Sequence, residues 1–593
     1  MKKNKEKSIP LHLTFRTIFH YIHGYWKDTL FAWFFVLFES AAETLVAFFM
    51  KDLVNGIKAQ DMQQIGLYAG VVGVLVLFAA LTGILSGFWA SSAACGFAAN
   101  LRFGMYDSIQ HYSFRNIDKF STPSIITRTT TDVTNVQNAF QMTIRGVIRS
   151  PIMLVLALVL AFITEPKIAW VFILLIPIAL TILLLTAKLT HPTFVRVFEE
   201  YDALNQSIQE NVDGIRVVKS FNREEHEKKR FNKVSEFLYR NFTKAETILA
   251  FNSPTLNLAI DLALILLSYF GATLIVNSGG TELDTGSLTT LITYVQMIFM
   301  SLMMLSMIYV QITIARNSAE RIAEILNEKS DIVNPDDGIM DVSNGEVEFH
   351  DVGFAYHKGK EVLSDISLSI PSGSTLGIIG STGSGKTSLV NLIARLYDVG
   401  RGSVFVAGHD VRDYDVKALR NAVAVVLQKN TLFSGTVRSN LLWGDEKAND
   451  EELWAACDLA QASPFLKQFP AGLETPIDEG GTNVSGGQKQ RLCIARALLK
   501  HPKILILDDS TSACDTRTDA MIRHGLMEEK KDITKIIIAQ RVLSIKDCDQ
   551  IVVLDNGRIA DIGTNEELLN SSEIYRSLYE SQLGGGGDFD AAD

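Results

Sequence analysis

The chain has 593 residues, 47% of them hydrophobic and only 20% charged, so it is too long for a single core and too apolar for a disordered polymer. Its formal net charge is −11. Residues 1–330 carry 29 Lys and Arg against 26 Asp and Glu, while residues 331–593 carry 26 against 40, so the C-terminal half lacks the basic face that a nucleic acid requires.

Residues 8–26 read as an amphipathic helix with its aromatics on one side, suited to a membrane interface. Six apolar stretches follow, at 30–50, 65–89, 143–164, 168–187, 247–276 and 288–312. Each can cross a hydrocarbon core about 30 Å thick, which takes roughly 20 helical residues. The first is too long for the apolar region of a signal peptide, and no small-residue cleavage site follows it. Six Lys and Arg precede the first stretch, six are counted with the arm that joins the second and third (Arg102, Arg115, Lys119, Arg128 and, at the start of the third stretch itself, Arg145 and Arg149), and eleven lie between the fourth and fifth. The opposite loops hold two (Lys51, Lys58), one (Lys167) and none. This asymmetry predicts that both termini and both long arms are cytoplasmic. The arms, of about 50 and about 60 residues, hold few Gly or Pro and keep an apolar helical period around 196–245, which predicts membrane helices running on into the cytoplasm.

Glu39, Glu43 and Asp261 stand inside the apolar stretches. A carboxylate facing lipid is costly, so each is expected to face a cavity or a partner, either to meet a cationic substrate or to make a structural hydrogen bond. Met297, Met300, Met304 and Met307 share one face of the sixth stretch, which suits either helix packing or a surface that accepts many shapes.

The second half opens with different chemistry. Residues 374–389 read STLGIIGSTGSGKTSL. An apolar strand leads into Gly380, Ser381, Thr382, Gly383, Ser384 and Gly385, then Lys386, Thr387 and Ser388 at the start of a helix. This is a P-loop in its strand–loop–helix setting, whose backbone N–H groups and helix N-terminus cradle phosphates. Lys386 is expected to reach the β- and γ-phosphates and Thr387 to supply a hydroxyl to Mg²⁺. Residues 503–509, KILILDD, form a buried strand that delivers Asp508 to its C-terminal end, where such a carboxylate holds Mg²⁺. The five cysteines (Cys95, Cys457, Cys493, Cys514, Cys548) lack metal-ligand spacing and their odd number argues against a disulfide scaffold.

Between these two motifs lies Asn483-Val484-Ser485-Gly486-Gly487-Gln488-Lys489-Gln490-Arg491. Here the chain resembles the ATP-binding-cassette (ABC) family, whose signature is LSGGQ, with Val484 in place of leucine. Six spans followed by one cassette resembles an ABC exporter half-transporter along nearly the whole chain. The resemblance implies that Ser485, Gly486, Gly487 and Gln488 cap an ATP held by an opposite cassette. It implies that Tyr356 in GFAYHKG stacks on adenine, and that Gln428 in VVLQKNTLFSGTV senses Mg²⁺ and the membrane domain. GIRVVKSFNREE (214–225) resembles the intracellular segment that docks on the partner's cassette. Asp478-Glu479-Gly480-Gly481 resembles the loop before the signature, without the usual arginine at Gly480.

The departures fall where hydrolysis happens. The family's catalytic Glu is here Asp509, one methylene shorter, and general-base work needs a reach of about 2.6–3.2 Å. Its γ-phosphate-contacting histidine is here Gln540, which cannot become a cation. SACD (512–515) replaces the common SALD. The two catalytic departures together resemble the degenerate-site chain of bacterial heterodimeric multidrug ABC exporters. That resemblance implies a partner half-transporter with the usual Glu and His, whose working site this chain's signature completes.

The expected fold is a six-helix all-α transmembrane domain over 1–328, an α/β P-loop nucleotide-binding domain over 329–583, and a flexible acidic tail over 584–593. The expected activity is ATP- and Mg²⁺-dependent export of amphipathic drugs or other hydrophobic compounds across a bacterial cell membrane, in contact with lipid and with no nucleic-acid partner. A lipid or peptide exporter would carry the same cassette. A nucleotide-gated channel or sensor would differ by needing no solute-stimulated ATPase activity.

Overall fold

The computed structural model describes residues 10–356, 359, 361–510 and 513–583. The chain forms two units, Met1–Gln110 with Ser121–Glu328, and His111–Phe120 with Lys329–Asp593. Ser8, Ile9, Ser512 and the tail 584–593, which carried readings from the sequence, lie outside the described residues.

Among its described residues the first unit consists of helices joined by short turns. α1 (Leu11–His20) precedes α2 (Trp26–Ala59), α3 (Met62–Gln110), α4 (Phe114–Lys119), α5 (Thr122–Thr127), α6 (Val133–Thr164), α7 (Pro166–Asp213), α8 (Ile215–Ser220), α9 (Glu224–Ala250), α10 (Asn252–Ser278) and α11 (Thr285–Asn327). α4 belongs to the second unit. Six helical runs are long and apolar enough to cross a membrane: Trp26–Ala59, Met62–Gln110, Thr122–Thr164, Pro166–Thr190, Glu224–Ser278 and Thr285–Asn327. The 49 residues of α3 span about 70 Å at 1.5 Å per residue, more than twice the hydrocarbon thickness. Part of α3 must therefore lie outside the hydrocarbon core, and the same length argument applies to the 48 residues of α7.

The breaks between helices have local causes. α2 stops at Gln60, in left-handed backbone, and the Asp61 carboxylate accepts from the Gln63 and Gln64 N–H groups to start α3. Asp284 caps α11 by accepting from Ser287 N at 2.7 Å. Small residues allow close packing along α3, where Ala90, Ala93, Ala94 and Ala98 are fully buried. At Gly96 the Tyr25 ring lies 2.1 Å from where a Cβ would stand, so only glycine fits there. Ahead of α6 the helix widens into a π-turn at Arg128–Asp132. Asp132, fully buried, accepts from Ser318 Oγ and from both Nε and Nη2 of Arg321 across to α11.

The second unit is built on twelve strands, β1 (Val347–Phe354), β2 (Leu363–Ile370), β3 (Thr375–Gly380), β4 (Arg401–Val406), β5 (His409–Asp410), β6 (Val423–Val426), β7 (Gly435–Thr436), β8 (Pro476–Ile477), β9 (Ile504–Asp508), β10 (Thr534–Ile538), β11 (Gln550–Asp555) and β12 (Arg558–Gly563). A six-stranded sheet in the order β12-β11-β3-β10-β9-β6 is parallel except for β12. A four-stranded antiparallel sheet, β2-β1-β4-β5, packs with one face of it in a single core that includes Phe349, Ile366, Ile378 and Ile506. A second core on the other side holds the helices 450–459, 486–498 and 516–529 against Leu505 and Leu507. The central strands β3, β9 and β10 are apolar on both faces, as a doubly covered parallel sheet requires. Their C-terminal ends converge on one edge, which is where the nucleotide motifs sit.

Candidate functional site

β3 carries the P-loop out of the sheet centre and α12 (Lys386–Ile393) continues it. The turn needs glycine, since Gly383 and Gly385 have φ of +85° and +99°. Lys386 Nζ donates to the carbonyl oxygens of Gly380 (2.8 Å) and Ser381 (2.9 Å), holding the loop closed on itself. Burial pushes the Lys386 ammonium below its ordinary range, and the charges of Asp508 and Asp509 oppose that. Ser384 Oγ is buried and finds no protein partner. Tyr356 shares a 2.9 Å hydrogen bond with Ser388 Oγ and packs edge-on against Phe354 and Tyr397.

β9 and β10 bring the remaining groups to the same edge. Thr387 Oγ1 donates to Asp508 Oδ2 at 2.8 Å. Asp508 is 3% exposed, and burial raises its carboxyl above the ordinary range, against the Thr387 hydrogen bond. Asp509, next in sequence, turns into left-handed backbone with φ +49°. Its Oδ2 accepts from Gln540 Nε2 at 2.8 Å and Gln428 Nε2 at 3.4 Å. Burial raises this carboxyl too, with both glutamines pulling it back. The structure therefore gathers Lys386, Thr387, Gln428, Asp508, Asp509 and Gln540, which were picked from separate stretches of sequence.

These residues fit ATP with Mg²⁺. A hydroxyl and one carboxylate 2.8 Å apart are the kind of oxygen donors Mg²⁺ takes alongside phosphate oxygens. The orphaned Ser384 hydroxyl and the N-terminus of α12 offer donors to an anion. Among the described residues no group of three or more His, Cys, Asp and Glu could hold a metal ion.

The signature segment is shaped by a reciprocal cap. Ser485 Oγ accepts from Gln488 N and Gln488 Oε1 accepts from Ser485 N, starting the helix Gly486–Leu498. Val484 packs on the core beneath, doing the apolar work of a leucine. Gly480 has φ +69°, backbone that an arginine would adopt only with strain, and its carbonyl accepts from Lys489 Nζ at 2.6 Å. Two supporting residues carried no signal in the sequence. Gln582, on the C-terminal helix, donates to Gln540 O and accepts from Val542 N, fixing the loop that presents Gln540. Tyr397 OH donates to Asp118 at 2.6 Å, so α4 is held on the second unit, with Arg115 pairing Asp331 beside it.

In the first unit Glu39 and Glu43 meet Arg145 and Arg149, two of the arginines counted with the arm between the second and third apolar stretches. Glu39, Glu43 and Met297 line one cavity of about 800 Å³. Met304 packs toward Gly146, whereas Met300 and Met307 are exposed. Asp261 is exposed on α10 and stands apart from the cluster. The arginines were missed because their charge was read as loop charge; their i, i+4 spacing next to an apolar run was the available signal.

Residues 29–302 match the family model of the ABC transporter transmembrane region, and residues 363–512 match that of the ABC transporter. The chain is 34% identical over 551 residues to an uncharacterized ABC transporter ATP-binding protein of Bacillus subtilis, covering 93% of this chain and 95% of that protein. It is 30% identical over 572 residues to the ATP-dependent lipid A-core flippase of Desulfotalea psychrophila, covering 96% and 99%. It is 31% identical over 483 residues to a fatty acid ABC transporter ATP-binding/permease protein of Mycobacterium bovis, covering 81% and 75%. Its fold is similar to that of a bacterial Atm1-family ABC exporter with ATP bound, with a TM-score of 0.82, 23% identity and coverage of 95% and 99%. With one six-helix membrane domain of the exporter fold joined to one nucleotide-binding domain, the chain belongs to the ABC transporter family as a half-transporter, a multi-pass membrane protein.

Proposed function

We propose that this chain is the weak-site subunit of a heterodimeric exporter that uses ATP and Mg²⁺ to move amphipathic compounds out across a bacterial cell membrane, with both termini cytoplasmic. The observation that carries this reading is the contact between Asp509 and Gln540 beside an otherwise complete P-loop site. A carboxylate shortened by one methylene and tied to a neutral amide is a poor base for the attacking water. The signature segment keeps its cap and its glycines, so it can serve a partner's site. Tyr356, Ser381, Thr382 and Gln428 are assigned to nucleotide binding in the same reading, and 214–225 to docking on the partner's cassette.

Co-expression with a second half-transporter carrying Glu and His at the corresponding places should give a complex that drives ATP-dependent uptake of several dyes into inside-out vesicles. Brisk, substrate-stimulated ATPase activity from this chain alone as a homodimer would sink the proposal. A lipid exporter is the second reading. It is favoured by the largely apolar cavity beside Glu39 and by the relatives named for lipid A-core and fatty acid. Solute stimulation of the ATPase separates either exporter from a nucleotide-gated sensor, which needs none.

A further inference from the structure

The cavity between α2, α3, α6 and α11 measures about 800 Å³, within the range of small-molecule sites. Its wall is largely apolar, with Val46, Val76, Ile84 and Met297, except where Glu39, Glu43, Arg145 and Thr293 reach it. The hydrogen bonds of this cluster are unequally shared. Glu39, with its side chain 5% exposed, accepts from Ser86 Oγ at 2.9 Å, from Arg149 Nη1 at 2.9 Å and from Arg145 Nη2 at 3.2 and 3.3 Å. Both oxygens of Glu43 are taken by Arg149 Nη2, at 2.9 and 2.8 Å. The carboxylates are thus occupied.

Arg145 is not. It bonds through Nη2 alone, and its Nε is buried with no acceptor among the described residues. A third of its side chain is open, at 34%, and it lines the cavity. A buried guanidinium N–H without an acceptor is a standing cost. What the cavity offers a ligand is therefore the open part of a cation, whose Nη1 has no acceptor among the described residues, against a largely apolar wall. This is the opposite of the cation site that was one of the two readings of the intramembrane glutamates.

We propose that the cavity binds an anionic amphiphile, with Arg145 recognising its carboxylate or phosphate oxygens and the apolar wall holding its chain. A charged guanidinium N–H donates strongly to the oxygens of either head. The site stands on these contacts; that its occupant is cargo rests on the export reading above. Glu43 sets the strength of the site, because its negative charge lines the same cavity and opposes an anion.

The test is equilibrium binding to the full-length chain with its co-expressed partner, in phosphatidylcholine nanodiscs without nucleotide. The probes are oleate, dioleoyl phosphatidate, oleyl alcohol and oleylamine. The expected result is that oleate or phosphatidate binds at least about tenfold tighter than the alcohol or the amine. Preference for oleate marks a free fatty acid, and preference for phosphatidate a lipid headgroup. Arg145→Gln should lose about tenfold in anion affinity, whereas Glu43→Gln should gain affinity by removing a negative charge from the cavity wall. A merely structural cluster would lose binding in both. If Arg145→Gln fails to fold, the gain in Glu43→Gln decides. Equal binding of all four probes, or preference for oleylamine, overturns the proposal even if dyes are pumped. Selective anion binding without ATP-driven transport of any compound would leave the site standing and overturn the export reading instead.

Discussion

Asp509 shows how one methylene changes a site. Its carboxylate is held at 2.8 Å by Gln540 and at 3.4 Å by Gln428, and its left-handed backbone fixes the direction in which the side chain starts. A glutamate there would reach roughly one ångström further, a displacement large enough to matter for proton transfer. Asp509→Glu alone should leave hydrolysis slow, because Gln540 still supplies no cation to the γ-phosphate. Asp509→Glu combined with Gln540→His should do better, and the gain should exceed the sum of the single gains in activation free energy, as expected for groups acting at one transition state. Single-turnover hydrolysis, with the partner's own catalytic Glu replaced by Gln, measures this. Full rescue by Asp509→Glu alone would make Gln540 a bystander. The P-loop, Asp508 and the departure at Asp509 were legible in the sequence because each is local: a few residues in a row fix strand, loop and helix. Gln582 was not legible, because it acts on Gln540 through backbone contacts 40 and 42 positions away.

At the scale of elements, the arms depend on polar contacts between helices that have left the apolar core. Asp132 sits in the π-turn with three hydrogen bonds from Ser318 and Arg321. Asp132→Ala removes all three and leaves the Ser318 and Arg321 donors facing a cavity. It should cost about 2 kcal/mol, read as a lower thermal midpoint of the detergent-purified protein. α4 gives a different kind of prediction. The Tyr397–Asp118 hydrogen bond and the Phe114–Tyr397 ring contact fasten it to the second unit. Tyr397→Phe with Phe114→Ala should weaken substrate stimulation of the ATPase several-fold while leaving ATP affinity nearly unchanged. A parallel loss of ATP affinity would assign these residues to the nucleotide site instead. The six apolar runs were legible because span length is set by the bilayer. The helical arms followed from their apolar period, but α4 did not, since a six-residue helix with a Ser113–Asn116 cap leaves almost no periodic signal.

For the whole molecule, the question is which ATP each motif serves. In the proposed heterodimer, Lys386 holds the nucleotide of this chain's weak site, whereas Ser485 and Gly486 complete the partner's working site. The local structure allows the two to be perturbed separately. Ser485 caps the helix Gly486–Leu498, and Lys386 closes the P-loop at the other end of the same fold unit. Ser485→Ala loses the cap as well as any contact to a partner's γ-phosphate, so Ser485→Thr, which keeps the cap oxygen, is the control for folding. Gly486→Asp leaves the cap in place but puts a carboxylate at the N-terminus meant for phosphate. On this assignment Gly486→Asp should abolish most steady-state ATPase activity of the pair, at least about tenfold, because one lost donor at a developing charge costs about that much or more. Lys386→Ala should lose much less, because the weak site contributes little turnover. The informative quantity is the ratio of the two losses in the same reconstituted complex, with nucleotide binding at each site followed separately by photo-crosslinking. Equal losses would mean that both sites fire together and that the asymmetry inferred from Asp509 and Gln540 does not govern turnover.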